Sequence, residues 1–400
     1  MAGQLSDVLS LSAGRGDWLE RADYVGRIAR DAVSETEQNR TLAPPVVEAM
    51  KETGLFWMLM PEEAGGGGAS IIDFIEVTER LCSAETSAGW SWMVNASITA
   101  AAAAFCSDEA VDEMFGGSDP AIFAGMLGPA GTAVEIEGGY RGCGQYSFAS
   151  GSGHANWIAG GMLLLENGKP RMKPDGMPES LVGFLPKHRV EMEDNWHVMG
   201  LMGTGSVDYK IVDQEIASGF TMERTSIEPL RGRGLFKLAL AGLACAGHSG
   251  VVLGLMGRAL REIASIAQGK ARPGYPGKIG EHPMFLDDFG FAEASYHASR
   301  NYLYSVFRNA EAVAESGGTL SAVDRARIRQ VTTWVHQQAL EVLTRCYRWA
   351  GSAGFREPSQ IGLAMRDMQV AIQHVFVDPT TIGTAASDII RDWLPAPDRT

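Results

Sequence analysis

The chain has 400 residues, 45% hydrophobic and 20% charged, with 34 Lys+Arg against 48 Asp+Glu and a formal net charge of -14. That apolar content supports a packed core and excludes wholesale disorder, while the length allows two to four domains at ~100–200 residues each, or one large one. An acidic chain without a basic stripe is unsuited to nucleic acid, and the lack of any purely apolar window of ~18 residues argues against a membrane span. In chain order, Val46, Val47, Met50 and Leu55 fall at helical spacing behind Pro44 and Pro45, which suit a helix start. Four glycines, Gly65 to Gly68, precede an apolar-rich stretch over 71–105, read as two helices broken near 85–89. The character changes at Asp119-Pro120: Val134-Glu135-Ile136-Glu137 alternates with period two and Gly138-Gly139 makes a hairpin turn. Residues 158–165, 181–185 and 209–216 read as further short strands among dense glycine. After Thr225 the helical period returns over 235–266, 285–316, 322–349 and 361–390, with 269–280 as the most loop-like interior stretch. Gly and Ala in the first of these suit close helix packing, and the four together predict a bundle. The expected architecture is α+β: an N-terminal helical domain over 1–118, a central β-barrel over 119–222 and a C-terminal four-helix bundle over 223–400.

The common signatures of chemistry are missing. Five scattered cysteines (Cys82, Cys106, Cys143, Cys245, Cys346) form no close pair and read as reduced thiols. Residues 1–17 lack a basic region followed by an apolar block, so no secretory leader is expected and the cytoplasm is the predicted compartment. Gly65 to Gly68 lacks the Gly-Lys-Ser/Thr of a P-loop, no Gly-x-Gly-x-x-Gly follows a strand, and no Gly-x-Ser-x-Gly elbow occurs. The eight histidines show no pair at metal-ligand spacing, so no metal site is expected. Composition and spacing lead as far as a large α+β protein with a buried ligand.

Three ordered blocks carry a resemblance. They are Gly54-Leu55 through Met60-Pro61-Glu62-Glu63-Ala64-Gly65-Gly66, with Glu79 on the helix that follows; Gly144 through Phe148-Ala149-Ser150; and Gly200-Leu201-Met202-Gly203-Thr204-Gly205-Ser206 before a strand. Together they resemble the acyl-CoA dehydrogenase superfamily over nearly the whole chain. In most of its dehydrogenases a glutamate soon after an Arg-Asp pair removes the α-proton of a thioester. Here Arg366-Asp367 is followed by Met368-Gln369-Val370-Ala371-Ile372-Gln373-His374-Val375-Phe376-Val377, with no carboxylate before Asp378. Gln373-His374, Val377-Asp378-Pro379 and the run 148–157 are instead similar to the flavin-dependent monooxygenase branch, which includes two-component aromatic hydroxylases and thiophene sulfur monooxygenases.

That resemblance implies reduced flavin (FMNH2 or FADH2) delivered by diffusion from a separate flavin reductase. It also implies O2 activation as a flavin C4a-hydroperoxide, a small aromatic or apolar substrate, and a homotetramer. It places Ser150 beside flavin N5 and His374 near the reacting oxygen and the substrate as the catalytic pair. Phe148, Trp196, Thr204 and Ser206 would surround the flavin ring, Arg272 would reach a flavin phosphate, and Gly351 and Gly354 would let the backbone pass close to the cofactor. Trp92 and Asn95 would touch substrate; where phenol hydroxylases often carry a histidine, this chain has Ala96-Ser97-Ile98-Thr99, so a phenolate is not expected. Blander readings stand beside these: a solvent-facing Ser150, a satisfied core His374, core aromatics, a solvated Arg272 and a simple helix break at Gly351. A dehydrogenase or flavin oxidase with a relocated base, or a scaffold without catalysis, are the competing functions.

Overall fold

The structure, a computed structural model, describes residues 15–232 and 234–395, so the expected domain limits at either end of the chain, and most of the 1–17 stretch, lie outside it. The N-terminal third is helical: α1 (Arg15–Asp31), α2 (Val33–Asn39), α3 (Pro44–Glu52), α4 (Ile71–Ala84), α5 (Thr86–Phe105) and α6 (Asp108–Phe115). Ser70 and Asp73 form a reciprocal capping box that starts α4. The break expected near 85–89 is a single extended residue, Glu85, whose carboxylate accepts the Ser87 and Ala88 N–H groups and caps α5.

The middle of the chain forms strands β1 (Phe123–Ile136), β2 (Gly139–Ala149), β3 (Trp157–Glu166), β4 (Lys169–Pro170), β5 (Ser180–Pro186), β6 (Glu191–Met192), β7 (Val207–Ala217) and β8 (Thr221–Glu223). They make one mixed sheet in the order β6-β7-β2-β1-β3-β5-β8, with β4 on β3 and the β1–β3 pair parallel. The expected barrel is therefore an open sheet: among the described residues its outer strands β6 and β8 pair with β7 and β5 but not with each other. It curls strongly nonetheless, so that Ile216 of β7 lies over Gly183 of β5. Tyr146, Met162, Tyr209, Ile211 and Ile216 fill the concave side.

Beyond the sheet come α7 (Ala239–Gly269), α8 (Pro283–Glu315), α9 (Ala322–Ala350), α10 (Ser352–Phe355), α11 (Gln360–Ala371) and α12 (Pro379–Ile389). The fourth long helix expected over 361–390 is thus two. His374 is extended (φ -69°, ψ 140°), and Asp378, which precedes Pro379, is held out of the helical region and caps α12. By length and apolarity the Gly234–Gly269 stretch would suffice to cross a membrane, but 78% of that window is buried within the fold. A single large core joins α1 and α3–α6 to α7–α9 and α11. Glu79 of α4 ties α8 to it, accepting from Tyr296 Oη, Tyr304 Oη and Arg300 Nε at 2.6–3.2 Å.

Candidate functional site

Where β2 ends, its pairing with β7 slips between Tyr146 and Ala149, and the bulge turns Phe148 outward. Phe148 has φ +70° and is 57% exposed, an unfavourable state for a large aromatic in both backbone and solvation. The Trp196 ring stands edge-on to it, centroids 6.4 Å apart. Two residues on, Ser150 is buried rather than solvent-facing, and it joins a chain of hydroxyls. Its Oγ lies 2.7 Å from Ser206 Oγ, which lies 2.7 Å from Thr204 Oγ1. The same loops are knitted through their backbones, with Gly151 N donating to Thr204 O at 2.7 Å.

The loop carrying Thr204 and Ser206 is anchored from the other side by α11. Leu201 N donates to Asp367 Oδ1 at 2.7 Å, Arg366 Nη1 reaches Met199 O, and Arg366 pairs with Glu37 at 2.9 Å. Burial raises the pKa of Asp367, which the Leu201 N–H and the nearby Arg258 partly offset. Glu85 is pushed up to about 7 by burial and by Asp367. Glu85 accepts backbone N–H groups on both oxygens, while Asp367 does so through Oδ1 and its buried Oδ2 has no hydrogen-bond partner.

Ser150 also accepts the Trp90 indole N–H at 3.2 Å. The Trp90 ring is the hinge to an aromatic nest: His248 of α7 packs against it at 4.8 Å and His374 at 6.1 Å. The His248 and His374 rings lie 3.8 Å apart with a tilt of 35°, and Phe376 closes the group 5.3 Å from His374. His374 Nδ1 accepts Phe376 N–H, which puts the proton of the neutral ring on Nε2. Burial lowers the His374 pKa to about 4 and that of His248 well below its usual value, the latter also through His374 and His336. His248 Nδ1 and His336 Nε2 are buried without a partner.

The structure brings Ser150, Ser206, Thr204 and, through Trp90, His374 together. Phe148 and Trp196 border the same loops. Trp92 does not join them: it is fully buried, gives its N–H to Leu55 O at 3.0 Å and packs on Phe74, so it belongs to the core rather than to a substrate surface. Asn95 is likewise a clamp, donating to Phe123 O and Ser150 O while its Oδ1 meets His154 Nε2 at 2.9 Å. Trp90 and His248 escaped the sequence reading because nothing in local spacing brings them beside His374; a polar ring among the small residues of α7 was the one signal. Arg272, Gly351 and Trp349 form a second group. Arg272 donates to Arg348 O and Trp349 O, lies over the Trp349 ring, and with Tyr275 and Arg345 lines a cleft of about 950 Å³. Gly354 packs beside it against Tyr347. Among the described residues no cluster of His, Cys, Asp and Glu could hold a metal ion.

A flavin fits these residues. The exposed, strained Phe148 offers an aromatic face, and Ser150 retains an unused lone pair. At Gly351 (φ +55°) a Cβ would crowd Lys270 Nζ at 3.3 Å and Arg272 Nη2 at 3.4 Å, so the bare backbone lets two cations of a kind suited to phosphate pack closely there.

Comparison with known proteins agrees. Residues 22–118 match the acyl-CoA dehydrogenase N-terminal domain and residues 246–379 the acyl-CoA dehydrogenase C-terminal domain. Indole-3-acetate monooxygenase of Pseudomonas putida is 26% identical over 358 residues, 90% of each chain. The HsaA monooxygenase of M. tuberculosis superimposes with a TM-score of 0.86 at 21% identity, covering 96% of this chain and 100% of that one. XiaF from Streptomyces sp., solved with FADH2 and glycerol, gives 0.85 at 22% identity, covering 98% of each. The chain belongs to the acyl-CoA dehydrogenase family, on the branch whose named members are flavin-dependent monooxygenases.

Proposed function

We propose that this protein is the oxygenase component of a two-component system that uses reduced flavin and O2 to insert one oxygen atom into a small aromatic or largely apolar molecule. The observation that carries the reading is the neutral imidazole pair, His248 on His374, where a dehydrogenase of this fold would present a free carboxylate. Reduced flavin supplies the oxygen-activating chemistry when bound. Phe148 and Trp196 would flank its ring, Ser150 would accept a hydrogen bond from it, and Lys270 and Arg272 would hold a phosphate. In the homotetramer expected for this family, that phosphate belongs to a neighbouring copy's flavin. A ring with a pKa near 4 is a poor base, so His374 acts as a neutral donor through Nε2–H. Trp90, His248 and Phe376 exclude water and present an apolar wall to the substrate. A flavin reductase supplies either FMNH2 or FADH2, and the cytoplasm is the expected compartment.

The test supplies photoreduced FMN or FAD, 18O2 and a panel of indoles, phenols and thiophenes. One 18O atom in an organic product is expected. Hydrogen peroxide as the sole product across the panel, or bleaching of bound oxidised flavin by an acyl-CoA, overturns the reading.

A further inference from the structure

The chain from Trp90 to Leu201 has a direction that its chemistry fixes. Leu201 O is a carbonyl and only accepts, so Thr204 Oγ1 spends its one hydrogen there at 2.8 Å. Ser206 Oγ must then donate to Thr204 Oγ1, and Ser150 Oγ must donate to Ser206 Oγ, each at 2.7 Å. The Trp90 indole only donates, and it gives its hydrogen to Ser150 Oγ. Ser150 is left with no hydrogen to offer and one free lone pair. The acceptor at the far end is fixed in place. Leu201 sits at φ +53°, its N–H is held by Asp367, and its carbonyl also accepts Trp196 Nε1 at 3.2 Å and Thr204 N at 3.1 Å.

We propose that Thr204 is a positioning residue that sets the direction of this chain, so that Ser150 meets flavin N5 only as an acceptor and the site selects the reduced flavin. The inference rests on the reduced-flavin reading above. Reduced flavin carries a hydrogen on N5 and can donate it to Ser150. Oxidised flavin has a lone pair there, which would face another lone pair. Leaving such a pair unsatisfied in a buried site corresponds to about a tenfold loss in affinity.

Thr204→Val keeps the shape and removes the hydroxyl. Ser206 then turns its hydrogen toward Ser150, and the Ser150 hydrogen is released for oxidised N5. Thr204→Ser retains the original direction. The measurement is anaerobic equilibrium titration with oxidised and with dithionite-reduced FMN and FAD. The unaltered protein and Thr204→Ser should hold the reduced form about tenfold tighter. In Thr204→Val the ratio should fall toward one, mainly by tighter binding of the oxidised form. An unchanged ratio in Thr204→Val, or equal weakening of both forms, overturns the proposal and leaves the reduced-flavin reading standing. An unaltered protein that binds reduced flavin without preference overturns it too, and one that binds neither flavin removes the reading on which it rests.

Discussion

Because His374 Nδ1 accepts the Phe376 N–H and burial holds the ring near pKa 4, the side chain is neutral throughout the physiological range. It therefore differs from a histidine poised to titrate. Coupled oxygenation should show no inflection near pH 6.5 that disappears in His374→Ala. That variant should lose about 10²-fold in product formation, as for the removal of one preorganised donor, while hydrogen peroxide release persists. Product and peroxide yields against pH check this. At this scale the sequence was informative only where a motif ran along the chain: Ser150, Thr204 and Ser206 stand in recognisable blocks. Trp90 and His248 come from helices that meet only after folding, and the core position of Trp92 depends on a helix rotation that periodicity alone does not settle.

Among the elements, α7 packs against α4 through glycine. A Cβ on Gly254 would come within 2.6 Å of Glu79 O and 2.8 Å of Ser83 N, both backbone atoms that cannot swing aside. Gly254→Ala should therefore lower stability by about 1–3 kcal/mol, despite the better helix propensity of alanine. Chemical denaturation would register it, and a stabilised variant would contradict the close approach. Since His248 rides on the same helix, separation of α7 from α4 would also disturb its contact with Trp90. The small-residue composition of this helix signals tight packing from the sequence alone. The split between α11 and α12 was less legible, because Val375 and Val377 continue the apolar pattern and only Asp378-Pro379 signals the restart.

Across the whole molecule, titration is lopsided. His154, His336 and His374 are lowered to about 3, 4 and 4, and His248 lies well below its usual value, all mainly through burial. Each prefers to be neutral when folded, so its contribution is complete above about pH 6.5 and is lost as pH falls through that value toward the folded pKa. Glu85, raised to about 7, has the opposite sign, as do Asp367 and Glu37; their contributions are present below the ordinary carboxylate pKa and are lost as pH rises. Four histidines outweigh this between pH 5.5 and 7, so Tm should rise across that interval. Calorimetry at constant ionic strength decides it, and a higher Tm at pH 5.5 would refute the balance. At this scale the order of helices, strands and helices was readable because the hydrophobic period changes twice. The open edge of the sheet was not, since closure depends on pairing between strands far apart in sequence.

Arg366 and Asp367 grip the Gly200–Thr204 loop from a helix that ends just before His374. The hydroxyl wall and the imidazole wall thus share one fastening, so a substitution that loosens it should displace both together and not one alone.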